Sequence, residues 1–213
     1  MTIELHAAVD PGRARSNNED SVATDDGVYL AVLADGMGGY NAGEVASNMA
    51  TSFIRTELGR WLREASSQAS DAEVRRAMDI CVDNANRAIF NAANSNPQYA
   101  GMGTTLVVAV FRDNRVLLGH VGDSRCYRMR EGRLQQITRL SRNTATTSVV
   151  PMPAYCGLEL AAVKIARLAL STQMSMARRT SASLAWLLAS RSQRPSSVRM
   201  KLVAMLLATS PAL

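Results

Sequence analysis

The segment at residues 30–47, LAVLADGMGGYNAGEVAS, constrains the fold more than any other part of the chain. Five consecutive apolar residues, 30–34, predict a strand buried on both faces, and this strand ends on the carboxylate of Asp35. Three glycines follow within four positions, and helical spacing of apolar residues begins near Glu44. Without side chains around the charge, backbone carbonyl and amide groups are able to approach an ion or a phosphate closely.

Two long amphipathic helices and several short strands are predicted around this segment. The first helix begins near Glu44, and the second runs from about Asp71 into the early 90s, before Pro97. Strands are predicted at 3–9 and 28–34, and hairpins turn at 113–114 and 131–132. Hairpins combined with two helices indicate antiparallel sheets covered by helices, and not a doubly wound parallel sheet.

Composition and charge separate the chain into two parts near Thr138. With 47% apolar and 20% charged residues, the 213-residue chain has the profile of a globular domain. Residues 1–138 hold 14 Arg and no Lys against 17 Asp and Glu, a net charge of −3. Residues 139–213 hold 10 Lys and Arg against one acid, a net charge of +9.

Several classes of protein are not indicated. The three widely spaced cysteines predict neither a disulfide framework nor a zinc site. The sequence shows no signal peptide and no transmembrane run, so we expect a cytoplasmic protein. The basic residues lack interleaved aromatic side chains, so nucleic acid is not an expected partner.

Acidic residues stand at the ends of predicted strands in three places. Glu19 and Asp20 lie in RSNNEDS, Asp35 follows the buried strand, and Asp123 lies in GHVGDSR. If these strand ends converge, like charges at about 4 Å repel by roughly 4 kcal/mol at an effective dielectric near 20, so a cation is expected among them. Oxygen ligands without a His or Cys cluster favour magnesium, manganese or calcium.

Other glycine motifs fit the sequence less well. A dinucleotide fingerprint requires glycine where Asn41 stands, and no Lys-Ser or Lys-Thr pair follows as in a P-loop. A strand-to-helix turn that merely needs glycine is the remaining alternative for DGMGG, and it does not explain the acidic residues elsewhere.

Five motifs in order, RSNNEDS, LADGMGG, AGEVAS, GMGTTL and GHVGDSR, resemble the bacterial metal-dependent serine/threonine protein phosphatases of the PPM, or type 2C, family. The resemblance covers about residues 5–138. It implies a four-layer α/β/β/α sandwich, in which two antiparallel sheets are flanked by helices, and which here is incomplete at its C-terminal end. It also implies hydrolysis of phosphoserine and phosphothreonine in proteins by a metal-activated water.

The resemblance assigns roles to individual residues. Asp35 would bridge two manganese or magnesium ions and would be essential to catalysis, and Arg15 would bind the substrate phosphate. A third, weaker ion is implied at Asp123. The metal-binding positions implied in this way are Asp35, Gly36, Glu19, Asp20 and Asp123.

Other positions have less specific expectations. Met37 stands where eukaryotic relatives carry a histidine proposed as general acid. His120 is predicted to be a packed residue rather than a ligand, and Thr105 either lies near the site or is simply a β-branched strand residue. The implied partners are phosphorylated proteins and a Ser/Thr kinase that acts on them, and a monomer is expected.

Residues 139–213 depart from the family. They contain no Asp, so the later aspartates that complete the family's two-metal site are missing, and activity is expected to be impaired. One hypothesis is that this tail is translated out of frame after about Arg139. The alternative takes the tail as native: two basic amphipathic helices would bind an anionic membrane or an acidic partner, and the protein would be a catalytically inactive phosphatase-like binding module.

The out-of-frame hypothesis predicts that the coding DNA beyond codon 139 encodes the missing motifs in another frame. We expect translation of the two other frames to give a Ser-Asp-Gly and, further on, an Asp-Asn. If neither frame contains both motifs, the hypothesis is wrong and the tail is the native one.

Overall fold

A computed structural model of the chain describes residues 2–10, 17–39, 42–65, 68–130, 133–138, 146–151, 159–164 and 199–207. Two long helices are present in this part, α1 (Ala42–Glu64) and α2 (Asp71–Ser95), with a short 3₁₀ helix at Pro97–Tyr99. The strands are β1 (Thr2–Asp10), β2 (Asp20–Asp25), β3 (Leu30–Met37), β4 (Gly103–Thr104), β5 (Leu106–Arg112), β6 (Arg115–Val121), β7 (Arg125–Arg130), β8 (Arg133–Gln136), β9 (Thr146–Pro151), β10 (Glu159–Lys164) and β11 (Arg199–Leu207).

The strands form two sheets. One is antiparallel with the order β2-β3-β5-β6-β9, and β4 pairs with the end of β3. The other has the order β1-β11-β10-β7-β8, in which β11 runs parallel to both of its neighbours. The predicted arrangement of two sheets with covering helices is confirmed. Within the described residues both helices lie over the first sheet, so this part contains three of the four predicted layers.

Alternation along β3 divides the core into two layers. Leu30, Val32 and Ala34 pack against the helices, whereas Ala31 and Leu33 face the second sheet. All five are at most 5% exposed. The prediction of a strand buried on both faces is therefore confirmed, because β3 is an inner strand between a helical layer and a second sheet.

The predicted turn at 113–114 is reproduced, whereas the one predicted at 131–132 lies outside the described residues. Asp113 and Asn114 both have positive φ, 47° and 58°, as a two-residue hairpin turn requires. The strand predicted from residue 28 begins at Leu30, because Tyr29 takes a φ of 52° in the turn after β2. β2 itself was not predicted, because it is an edge strand whose polar residues give a weak alternating pattern.

The two helices predicted in the tail are wrong for the residues that the structure describes. Glu159–Lys164 and Arg199–Leu207 are strands, and β11 pairs with β1 on one side and β10 on the other. Short apolar runs do not distinguish a helix from a strand, and here a sheet supplies backbone partners on both sides of β11. In the described residues no helix has the length and apolar character to span a membrane.

His120 is a buried polar residue between the two sheets. It follows Val116 and Leu118 along the same face of β6 and is 5% exposed. Burial lowers the pKa of its imidazole from the ordinary 6.5, although a hydrogen bond to the Ser124 backbone and the Asp123 charge act in the opposite direction. Its Nε2 has no hydrogen-bond partner in the described part of the chain. The imidazole is therefore neutral near pH 7.

The end of β3 touches the first turn of α1 without intervening side chains. A Cβ atom on Gly36 would lie 1.9 Å from the carbonyl oxygen of Gly43 and 2.7 Å from that of Glu19. The Gly36 amide donates a hydrogen bond to the Glu19 carbonyl oxygen at 2.9 Å. Three backbone segments thus meet at Gly36, and only glycine fits there.

We expect Gly36→Ala to lower the free energy of unfolding by about 3 kcal/mol, because the added methyl group would overlap backbone atoms that cannot move independently. Urea denaturation followed by circular dichroism measures this change. Gly39→Ala is the control in the same loop, since no described atom lies within 4 Å of its Cβ position, and it should change stability by less than about 0.5 kcal/mol. Equal effects of the two substitutions would contradict the close packing at Gly36.

The neutral state of His120 predicts a pH-dependent stability. Above pH 6.5 both folded and unfolded states hold a neutral imidazole, but below it the unfolded state binds a proton that the folded state resists. Stability should therefore fall from pH 6.5 downward, by at most about 1.4 kcal/mol per pH unit from this group, until the lowered folded pKa is reached. Denaturation of His120→Gln between pH 7.5 and 5 should show a shallower fall.

The wild-type protein, measured in the same buffers, is the reference for this measurement. A His120→Gln profile that is parallel to the wild-type profile would show that His120 does not resist protonation.

Candidate active site

Two buried carboxylates lie opposite each other at the ends of neighbouring strands. Asp20, the first residue of β2, is the direct partner of Asp35 on β3, and the two are 8% and 7% exposed. Side chains of directly opposed residues project to the same face, here toward the second sheet, because Asp35 continues the face of Leu33. Two carboxylates in this arrangement repel each other, so the site favours a bound cation.

Glu19 lies beside this pair but on the helical side of the sheet. Its carboxylate Oε1 is 2.9 Å from the position that a Cβ on Gly43 would occupy. The first turn of α1 carries unsatisfied amide groups and a partial positive charge, which favour a carboxylate nearby. The backbone contact between Gly36 and Gly43 thus places Glu19 next to the helix terminus and next to the end of β3.

The backbone of Asp35 is fixed by Thr105. The Asp35 amide donates a hydrogen bond to Thr105 Oγ1 at 3.1 Å, and the Thr105 amide donates to the Asp35 carbonyl oxygen at 2.9 Å. Thr105 Oγ1 is also 2.6 Å from Ser124 Oγ. Thr105 lies between β4 and β5 rather than in a strand, and its hydroxyl and amide contact the site. Ser124 was not predicted; a Ser next to Asp123 at the end of an apolar strand was the available signal.

Asp123 lies in an exposed turn between β6 and β7. Gly122 before it has a φ of 91°, and Ser124 after it is 1% exposed. Among the described residues, the Ser124 hydroxyl joins this turn to the site, 2.6 Å from Thr105 Oγ1. Of the predicted residues, Glu19, Asp20, Asp35 and Gly36 share one end of the β2–β3 pair. Arg15 lies outside the described residues.

The donor groups suit a hard divalent cation but form only part of a coordination sphere. Carboxylate and backbone carbonyl oxygens are the ligands that magnesium, manganese and calcium prefer, and two of these carboxylates are buried together. In the part of the chain that the structure describes, no three His, Cys, Asp or Glu side chains converge on one point. Further ligands would have to come from water, substrate or residues outside this part.

Met37 borders the site on the surface. It ends β3 with a 62% exposed side chain, and its Cε lies 2.8 Å from the Cβ position of Gly103, which glycine leaves open. Together with Phe90 and Met102 it lines an open, mainly apolar groove of about 450 Å³ between α2 and β4. The thioether has no ionisable group, so Met37 has no proton to donate.

Comparison with known proteins gives consistent similarities. Serine/threonine protein phosphatase PstP of Mycobacterium tuberculosis is 39% identical over 139 residues, which cover 65% of this chain and 25% of PstP. Serine/threonine phosphatase stp of Listeria welshimeri is 36% identical over 139 residues, covering 63% of this chain and 54% of stp. The chain therefore spans between a quarter and about half of the length of these curated relatives.

Solved structures show the same similarity in three dimensions. The catalytic domain of PstP in complex with two manganese ions is 40% identical with a TM-score of 0.51, over 61% of this chain and 52% of that chain. A variant of a bacterial serine phosphatase is 30% identical with a TM-score of 0.59, over 70% of this chain and 71% of that chain.

The family profile matches a longer part of the chain than the five motifs cover. The profile described as Protein phosphatase 2C matches residues 13–155, which extends past the predicted limit of the resemblance at 138 and includes β9. The matched segment contains the buried acid pair, the glycine contact and the Asp123 turn. The chain belongs to the protein phosphatase 2C family.

Proposed function

We propose that this protein derives from, and acts in the manner of, a metal-dependent phosphatase that removes phosphate from phosphoserine and phosphothreonine in proteins. The observation that carries the proposal is the buried Asp20–Asp35 pair next to the Gly36–Gly43 contact, in a chain of the protein phosphatase 2C family. The negative charge of the pair would bind a cation, and the cation would in turn bind a phosphate group.

Each site residue has a proposed task. Asp35 would contact both ions of a manganese or magnesium pair, assisted by the Gly36 carbonyl oxygen, Glu19 and Asp20. Asp123 would bind a third ion. When bound, such ions lower the pKa of water and neutralise charge on phosphoryl oxygens. Arg15 would hold the substrate phosphate through its guanidinium group, whose planar fork suits two phosphate oxygens.

Two features of the described residues support a fixed arrangement of Asp20 and Asp35 for this chemistry. Burial of Asp20 and Asp35 keeps bulk water from competing for their oxygens, and the double hydrogen bond to Thr105 holds Asp35 in position. Preorganised groups of this kind reduce the reorganisation that a reaction requires. Met37 has no proton to give, so the leaving oxygen would receive its proton from another group.

Turnover by this chain is proposed to be weak. Residues 139–213 contain no Asp, so the later aspartates of the family's two-metal site are not available. The same fact favours a second candidate, a phosphatase-like module that binds a phosphorylated protein without hydrolysing it. Binding of a phosphothreonine peptide that persists for hours without release of phosphate would support this candidate.

The finer parts of the proposal concern the cellular setting. The partners would be phosphorylated proteins and the Ser/Thr kinase that modifies them. A monomer in a bacterial cytoplasm is proposed.

We expect isothermal titration calorimetry to detect manganese binding by the folded chain, and we expect Asp35→Asn to weaken it more than the roughly tenfold to hundredfold typical for an outer-shell partner. Hydrolysis of p-nitrophenyl phosphate with manganese should be weak or absent. Asp26→Asn, in the exposed turn after β2, is the matched control and should bind manganese as the wild type does.

Two results would contradict this scheme. No manganese uptake by a folded sample would remove the metal-dependent proposal. Rapid turnover that Asp35→Ala abolishes would show that the chain has a complete set of ligands, so the proposed impairment would be wrong.

A further inference from the structure

Ser124 connects the two predicted metal-binding regions of the chain. Asp35 belongs to the end of β3, whereas Asp123 belongs to the turn between β6 and β7, and within the described residues β3 pairs with β2, β4 and β5 and not with that turn. Thr105 pairs with the backbone of Asp35 and places its hydroxyl 2.6 Å from Ser124 Oγ. A continuous path of hydrogen bonds therefore runs from the Asp35 amide through Thr105 to Ser124.

The far end of the path, at Ser124, is buried. Ser124 is 1% exposed, so water does not readily replace its contact with Thr105. The turn is thus held at Ser124 while Asp123, one residue earlier, remains exposed.

The chemistry of the hydroxyl pair makes Ser124 hard to replace. Thr105 Oγ1 accepts the Asp35 amide hydrogen, which uses one lone pair and leaves one lone pair and one hydrogen for Ser124. Removal of the Ser124 hydroxyl would leave Thr105 Oγ1 without its 2.6 Å partner at a half-buried position. Rotation of the Thr105 side chain to find another partner would break its bond to the Asp35 amide.

We propose that Ser124 is a positioning residue whose hydroxyl, acting through Thr105, holds the Asp35 strand end and the Asp123 turn in one fixed arrangement. The role in metal binding rests on the proposed function, whereas the mechanical link between Ser124 and Asp35 does not. Displacements of about 1 Å in a catalytic group are costly, so such a link has functional value.

The chain offers a matched control for this link. Ser21 Oγ and Thr51 Oγ1 form a second hydroxyl pair, 2.7 Å apart and buried, which joins β2 to α1. Thr51 is 2% exposed and has no place in the proposed metal site. Thr51→Val therefore removes a buried hydroxyl contact outside the Thr105–Ser124 path, and Ser21 keeps its hydrogen bond to Asn48 Oδ1 at 2.9 Å.

The first experiment measures amide hydrogen exchange of Asp35 by NMR in the full chain without added metal. We expect Ser124→Ala to accelerate exchange at the Asp35 amide at least tenfold relative to the wild type. Thr105→Val should have the same effect, Thr105→Ser should stay near the wild-type rate because it keeps a hydroxyl, and Thr51→Val should leave this amide unchanged. Equal exchange in Ser124→Ala and Thr51→Val, or no rescue by Thr105→Ser, would overturn the proposal.

The second experiment measures manganese binding by calorimetry with the same variants. Ser124→Ala should raise the dissociation constant for manganese roughly tenfold to hundredfold, the usual effect of losing an outer-shell partner, and Thr51→Val should not. An unchanged constant in Ser124→Ala would overturn the role in metal binding. If the wild type itself takes up no manganese, the proposed function fails, and the exchange measurement still decides whether Ser124 positions Asp35.

Discussion

The contact between Gly36 and Gly43 is the constraint on which the site depends. With 1.9 Å between the Cβ position of Gly36 and the Gly43 carbonyl oxygen, the end of β3 lies directly on the first turn of α1. This contact fixes the position of the end of β3 relative to the first turn of α1. Because β2 pairs with β3 in register, it also fixes Asp20 opposite Asp35 and brings the Glu19 carboxylate to the helix terminus. Loss of this contact would therefore displace three acidic residues together.

The surrounding layers explain why this end of the sheet is able to hold charge. β3 is covered by helices on one face and by the second sheet on the other. Burial of its apolar residues therefore stabilises the fold and offsets the free-energy cost of burying the carboxylates. The polar groups are concentrated where the strands end. Thr105 and Ser124 add hydrogen bonds at that boundary, on the side from which the Asp123 turn emerges.

The relation to the protein phosphatase 2C family places this geometry in a functional context. The matched region ends at residue 155, and the relatives extend well beyond the part that they share with this chain. The shared region carries the buried acid pair and the glycine contact, whereas residues 139–213 contain no Asp that could add to a metal site as proposed above. A site assembled from distant segments is sensitive to such a change, because each segment supplies only part of the ligands of an ion.

The sequence alone determined the local features: the buried strand that carries Asp35, the two long helices, and the turn at Asp113–Asn114. Each depends on residues that are close along the chain, so periodicity and turn chemistry reveal it. The tertiary structure alone decided which acids become neighbours, that Thr105 and Ser124 connect β3 to the Asp123 turn, and that the tail runs of β10 and β11 are strands instead of helices. The reason is physical: hydrogen bonds between residues distant in sequence depend on strand order and register, which no local pattern encodes.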